Sequence, residues 1–116
     1  DTHGRETLAA GLRRNGHGVT EAANGEQALK LIANNTEAFD VVVTDQIMPG
    51  MTGMDLCMEL RTSSPQLPII LISGYTGPID ASSLAEKGIV DFYIKPVSFY
   101  DLEKALRKIE RPSPKA

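Results

Sequence analysis

The chain has 116 residues, room for one compact core and too few for two. Its composition, 41% apolar and 23% charged, excludes a disordered or fibrous chain, and a formal charge of −3 excludes the basic footprint of non-specific nucleic-acid binding. The longest apolar runs, Val41 to Val43 and Leu67 to Ile72, fall far short of the ~20 residues that span a bilayer, and a lone Cys57 excludes both an internal disulfide and a multi-cysteine zinc site.

In chain order, Leu8 and Leu12 sit one helical turn apart in a segment that ends at Asn15-Gly16, which predicts a first helix. Residues 18–22 are rich in β-branched and apolar side chains and predict a strand. Asn24 is placed to cap a helix bearing Ala28, Leu31 and Ile32, with Gln27 in the reciprocal capping position and Asn34-Asn35 at its end. A strand follows at 40–44, then a helix whose buried stripe is Leu56, Cys57 and Leu60, then a strand at 68–73. The segment 79–87 has only Ala81, Leu84 and Ala85 for a helical face and precedes a strand at 90–94. The last helix starts at Ser98-x-x-Asp101 and repeats Leu102, Ala105, Leu106 and Ile109 at i, i+3, i+4 and i+7. Residues 111–116 contain Pro112 and Pro114 and no periodicity, so the domain is read as 1–110 and the remainder as a tail or linker.

Helices alternating with strands argue an α/β fold, a doubly wound parallel sheet in three layers, α/β/α. Burial on both faces accounts for the unbroken apolar runs Val41-Val42-Val43 and Ile69-Ile70-Leu71-Ile72. In such sheets ligands bind beyond the carboxyl ends of the strands. Three of those ends are polar: Asp45 follows the strand at 40–44, Ser73-Gly74 the one at 68–72, and Lys95-Pro96 the one at 90–94. A carboxylate nucleophile, a hydroxyl donor and a charge-neutralising ammonium suit phosphoryl transfer.

These residues resemble the receiver domains of two-component response regulators, CheY-like domains of flavodoxin-like fold. The most specific part is residues 39–53, Phe-Asp-Val-Val-Val-Thr-Asp-Gln-Ile-Met-Pro-Gly-Met-Thr-Gly, reinforced by Ser73-Gly74, Lys95-Pro96 and Ala23-Asn24-Gly25-Glu26-Gln27-Ala28. The resemblance implies that Asp45 accepts a phosphoryl group from a sensor histidine kinase or histidine phosphotransfer protein, with Ser73 as the conserved hydroxyl and Lys95 as the conserved lysine. It implies Mg²⁺ held by Asp45 and the backbone carbonyl of Ile47, and Phe92 as an aromatic switch moving in concert with Ser73. The face formed by 79–87, the last strand and the last helix would carry the signal and would serve homodimerisation. A cytoplasmic signalling switch follows, with self-phosphorylation and slow autodephosphorylation as its only chemistry, and with no membrane or direct nucleic-acid contact.

In that family a first strand ends in two acidic residues that hold Mg²⁺. The spacing back from Gly16, Leu12 and Leu8 puts that pair immediately before Asp1, which is therefore not promoted to a ligand. Mg²⁺ binding is expected to be weak or absent with Asp45 as the lone carboxylate, and the chain is expected to be part of a longer one. Two alternatives stand beside the switch: a receiver-like interaction module that takes no phosphate, and a haloacid-dehalogenase-like phosphohydrolase. The latter needs an acid two residues after its nucleophile, where this chain has Ile47. Taken singly, Asp45 could merely start a turn, Lys95 be a solvated charge and Phe92 be core; His3 and His17, with no spacing suggestive of a metal, are expected at the surface.

Overall fold

The computed structural model describes residues 2–35, 37–46, 50–74, 86, 88–95 and 97–109, with residues 2–4 described by backbone alone. Four helices and three strands occur among them: α1 (Thr2–Arg14), α2 (Gly25–Asn34), β1 (Val42–Asp45), α3 (Gly53–Ser63), β2 (Ile69–Ser73), β3 (Ile89–Ile94) and α4 (Phe99–Lys108). The segment 79–87 lies outside the described residues except for residue 86, and the tail 111–116 lies outside them entirely.

The strands form a parallel sheet in the order β1-β2-β3. Side chains alternate along β2, so Ile69 and Leu71 pack with Ile32 of α2 and Leu56, Cys57 and Leu60 of α3, while Ile70 packs with Leu102 and Ala105 of α4. Leu8 of α1 joins the second cluster. Helices thus cover both faces, and the three-layer α/β/α fold expected from the alternation of elements is the one observed. All five residues of β2 are buried. The register slips between Ile69 and Ile70, leaving Val90 of β3 without a ladder partner and 57% exposed. Among the described residues no helix is long and apolar enough to cross a membrane.

The helix ends follow their capping chemistry. The Gln27 N–H donates to Asn24 Oδ1 at 2.8 Å, and Gln27 Oε1 accepts in return from the Ala23 N–H, one residue before the cap. Thr52 and Asp55 form a complete capping box on α3, which the sequence reading did not single out. Ser98 caps α4, accepting from the Asp101 N–H at 3.3 Å. Tyr93 on β3 donates its O–H to Asp91 Oδ2 at 3.0 Å. Burial, then the Asp91 hydrogen bond and charge and the Asp101 charge, push the phenol above its ordinary value, so it stays a donor.

Residues 18–22 are not a strand, contrary to the sequence expectation. A strand exists through ladder hydrogen bonds, and among the described residues β1 pairs with β2 alone, so no neighbour offers one to this segment. Side chains hold it instead. Arg13 Nη2 donates to the Val19 carbonyl at 2.8 Å, and Arg5 and Arg13 reach Glu21 at 3.3 and 3.4 Å.

His17, expected at the surface, is partly buried, and its Nε2–H donates to Glu103 Oε1 of α4 at 2.8 Å. No local pattern signals a contact between residues 86 positions apart. Arg107, one turn further along α4, pairs with the other carboxylate oxygen at 2.7 Å. Withdrawal from water pushes the Glu103 carboxyl up, but the hydrogen bond and charge of His17 and the charge of Arg107 outweigh it, and the net shift is downward.

α3 approaches the end of β1 so closely that a Cβ on Gly53 would lie 2.4 Å from the Asp45 carbonyl oxygen and 2.9 Å from Gln46 Cα. Backbone atoms cannot yield there as a flexible side chain could. Gly53→Ala is therefore expected to destabilise the protein by about 1–3 kcal/mol even though alanine is the better helix former, read as a lower urea midpoint at unchanged slope. A lowered carboxyl contributes stability above its ordinary value of 4.5, and that contribution is lost as pH falls through the folded-state value. The stability gap between wild type and Glu103→Gln should accordingly be open near neutral pH and close in acid. Denaturant titrations across that range check this, and a gap independent of pH would contradict it.

Candidate functional site

Parallel pairing puts the carboxyl ends of β1, β2 and β3 on one edge of the sheet. Asp45 ends β1 and is opposite Ile72, Ser73 ends β2 and is opposite Ile94, and Lys95 follows directly. Each residue is thus one step further along than its neighbour, a staircase across the edge. The ladder fixes the backbone beside each: the Gln46 N–H donates to the Ile72 carbonyl at 2.9 Å and the Lys95 N–H to the Ser73 carbonyl at 2.8 Å.

β1 and β3 are two strand spacings apart, roughly 10 Å, because β2 lies between them. Only a long side chain closes that gap, and Lys95 does: its Nζ lies 3.3 Å from Asp45 Oδ1. The lysine side chain is 45% exposed and the carboxylate 30%. A pair so open to water is worth about 0–1 kcal/mol and holds neither group irreversibly. Ser73, by contrast, is buried, as is Thr44. Its strand position lies between the acid and the amine.

The two faces of the sheet contribute differently to this edge. Asp45 is two residues past Val43 and Lys95 two past Tyr93, both of which pack on the α1/α4 face. Ser73 is two residues past Leu71, on the α2/α3 face, and Phe92, partly buried, packs against the cluster on that same face. The hydroxyl and the aromatic ring therefore share a face, as a coupled motion of the two would require. Ile47, the expected carbonyl ligand, and Asp1 both lie outside the described residues.

Gln46 was not anticipated from sequence. Its main-chain oxygen accepts from the Gly53 N–H and its side-chain Oε1 from the Met54 N–H, both at 2.9 Å, so the first turn of α3 is tied to the residue after Asp45. Nothing local distinguishes this glutamine from any other polar residue in a turn.

The fit to Mg²⁺ can be judged from the donors. Among the described residues no group of three or more His, Cys, Asp or Glu side chains is placed to hold a metal ion. Asp45 alone does not complete an octahedral oxygen shell.

A family model described as the response regulator receiver domain matches residues 1–107. Transcriptional regulatory protein AfsQ1 of Streptomyces coelicolor is 36% identical over 107 residues, 92% of this chain and 46% of that protein. The chain spans about half the length of the curated relatives it matches. Among solved structures, a response regulator receiver domain protein from Clostridium thermocellum superposes with a TM-score of 0.86 at 26% identity, covering 94% of this chain and 86% of that one. Response regulator TrrA from Thermotoga maritima, solved in complex with Mg²⁺-BeF, superposes with a TM-score of 0.79 at 28% identity, covering 95% and 92%. With the sheet, the staircase of polar strand ends and these likenesses in agreement, the chain belongs to the response regulator receiver domains, the signalling modules of two-component systems.

Proposed function

We propose that Asp45 is the phosphoryl acceptor of this receiver domain. The observation that carries the reading is the 3.3 Å contact of Lys95 Nζ with Asp45 Oδ1 across β2, at the carboxyl edge of the sheet. A carboxylate oxygen of Asp45 forms a bond to phosphorus while the bond from phosphorus to the donor's imidazole nitrogen breaks. An acyl phosphate remains on the protein and the donor histidine is regenerated. The sensor histidine kinase or histidine phosphotransfer protein is the source of that group.

The product replaces a single negative charge by roughly −1.5 to −2, the value known for phosphorylated hydroxyl side chains. Lys95, released from a weak pair, follows that charge onto a phosphoryl oxygen. Ser73 supplies a hydroxyl donor to another. Its movement toward the phosphoryl group would open space on the α2/α3 face for Phe92 to turn inward, and the surface of residues 79–87, β3 and α4 would change with it. That surface is the one proposed for the downstream partner or for a homodimer.

The Thermotoga response regulator TrrA was solved in complex with Mg²⁺-BeF, which supports a place for Mg²⁺ in this chemistry. In the present chain Asp45 and the Ile47 carbonyl are the proposed contributors, and additional carboxylates are required for tight binding. The domain, proposed as 1–110 and cytoplasmic, would have no turnover chemistry beyond gaining and losing its phosphoryl group. Contact with nucleic acid would fall to regions of the longer relatives outside this domain. Family membership leaves the haloacid-dehalogenase alternative without support.

Incubation of the intact domain, extended by its preceding strand, with acetyl phosphate and Mg²⁺ is expected to add one phosphoryl group, detected by intact mass, and Asp45→Asn to abolish it. Labelling that survives Asp45→Asn would refute the assignment, and no labelling of wild type would favour the interaction module. Lys95→Ala should slow labelling by on the order of a hundredfold, the lower end of the effect of deleting one preorganised donor, while Lys104→Ala, exposed on α4, leaves the rate unchanged. Equal rates in the two variants would remove Lys95 from the site.

A further inference from the structure

We propose that Gln46 is a positioning residue for the chemistry at Asp45, an inference that rests on the acceptor role proposed above. Gln46 is bound on three sides. Its N–H donates to the Ile72 carbonyl on β2, its carbonyl accepts from the Gly53 N–H, and its Oε1 accepts from the Met54 N–H, each at 2.9 Å. The first N–H groups of a helix have no partner within the helix. In α3 the Asp55 N–H goes to Thr52 Oγ1 at 3.1 Å, and Gln46 takes those of Gly53 and Met54.

Capping alone does not account for this arrangement. Thr52 and Asp55 already close a reciprocal box on α3, as helix ends ordinarily require. What Gln46 adds is attachment: it anchors the helix to the residue directly after Asp45, on the strand whose end carries the carboxylate. Gly53 makes the approach possible, since a side chain there would meet the Asp45 carbonyl oxygen. The peptide flanks of Asp45 are therefore held by β2 on one side and α3 on the other, which limits where the carboxylate oxygens point relative to Lys95.

Gln46 exchanges no proton in the transfer, because a carboxamide is neither acid nor base near neutral pH, and its Oε1 accepts from the Met54 N–H. Its effect is on geometry. Displacement of a reacting group by about 1 Å is enough to slow a reaction by orders of magnitude.

The test compares wild type with Gln46→Met, which keeps length and loses the acceptor, and Gln46→Glu, which keeps the acceptor. Rates of labelling at Asp45 by acetyl phosphate and Mg²⁺ are measured on the intact domain, extended by its preceding strand, at high salt, where the added Glu charge is screened. Exchange of the Met54 amide is followed by NMR on the same samples. Gln46→Met is expected to label about tenfold more slowly to the same final extent and to exchange the Met54 amide about tenfold faster, with Gln46→Glu restoring both. Thr52→Ala serves as the control for a purely structural role: it weakens the same helix end, lowers the unfolding midpoint and leaves the labelling rate unchanged. The inference is overturned if Gln46→Met labels as fast as wild type, if Gln46→Glu protects Met54 without restoring the rate, or if Thr52→Ala slows labelling equally. Failure of wild type itself to label at Asp45 would instead remove the acceptor reading, and this inference with it.

Discussion

Parallel strand pairing is the constraint on which the rest of the molecule depends. It sends every carboxyl end to one edge, and its register decides which residues stand there together. Because Ser73 is opposite Ile94 and Asp45 opposite Ile72, acid, alcohol and amine form a staircase, each a residue beyond the last. The central strand holds the outer two apart, and a lysine spans the distance where a shorter side chain would not. The interaction that results is weak, because both charged groups stand partly in water.

The buried core and the polar strand ends occupy different parts of this architecture. β2 is buried throughout and supplies both cores, with Leu56, Cys57 and Leu60 packed on one side and Leu102 and Ala105 on the other. Asp45 and Lys95 sit where the strands emerge, partly in water, and contribute little to holding the fold. The link between the two regions is α3. Its close approach through Gly53 and its bonds to Gln46 connect a helix of the core to the residues that flank the carboxylate. A second long-range tie, His17 to Glu103 and Arg107, fastens the turn after α1 to α4 on the opposite face.

Much of this was legible in the amino-acid order. Caps at Asn24 and Ser98 were readable because capping is a local exchange within three or four residues. The buried stripes of α3 and α4 were readable because helical periodicity is local as well. The Thr52 box obeyed the same logic and was overlooked. Residues 18–22 misled because β-propensity describes what a side chain tolerates, whereas a strand requires a partner, and none is present among the described residues. His17 misled for a related reason, since its partner is on α4, beyond the reach of any pattern in its neighbourhood.

What the sequence by itself determined is the kind of molecule this is. Alternating helix and strand patterns and doubly buried apolar runs sufficed for a parallel α/β domain, and the residues after three successive strands sufficed to place polar groups at one edge. The tertiary structure alone decided which groups touch: Lys95 reaching Asp45, Gln46 holding the start of α3, and His17 reaching Glu103. The physical reason is that periodicity and capping act over one or two turns of chain. Distances between strand ends depend on ladder register, which is set by the packing of the whole sheet.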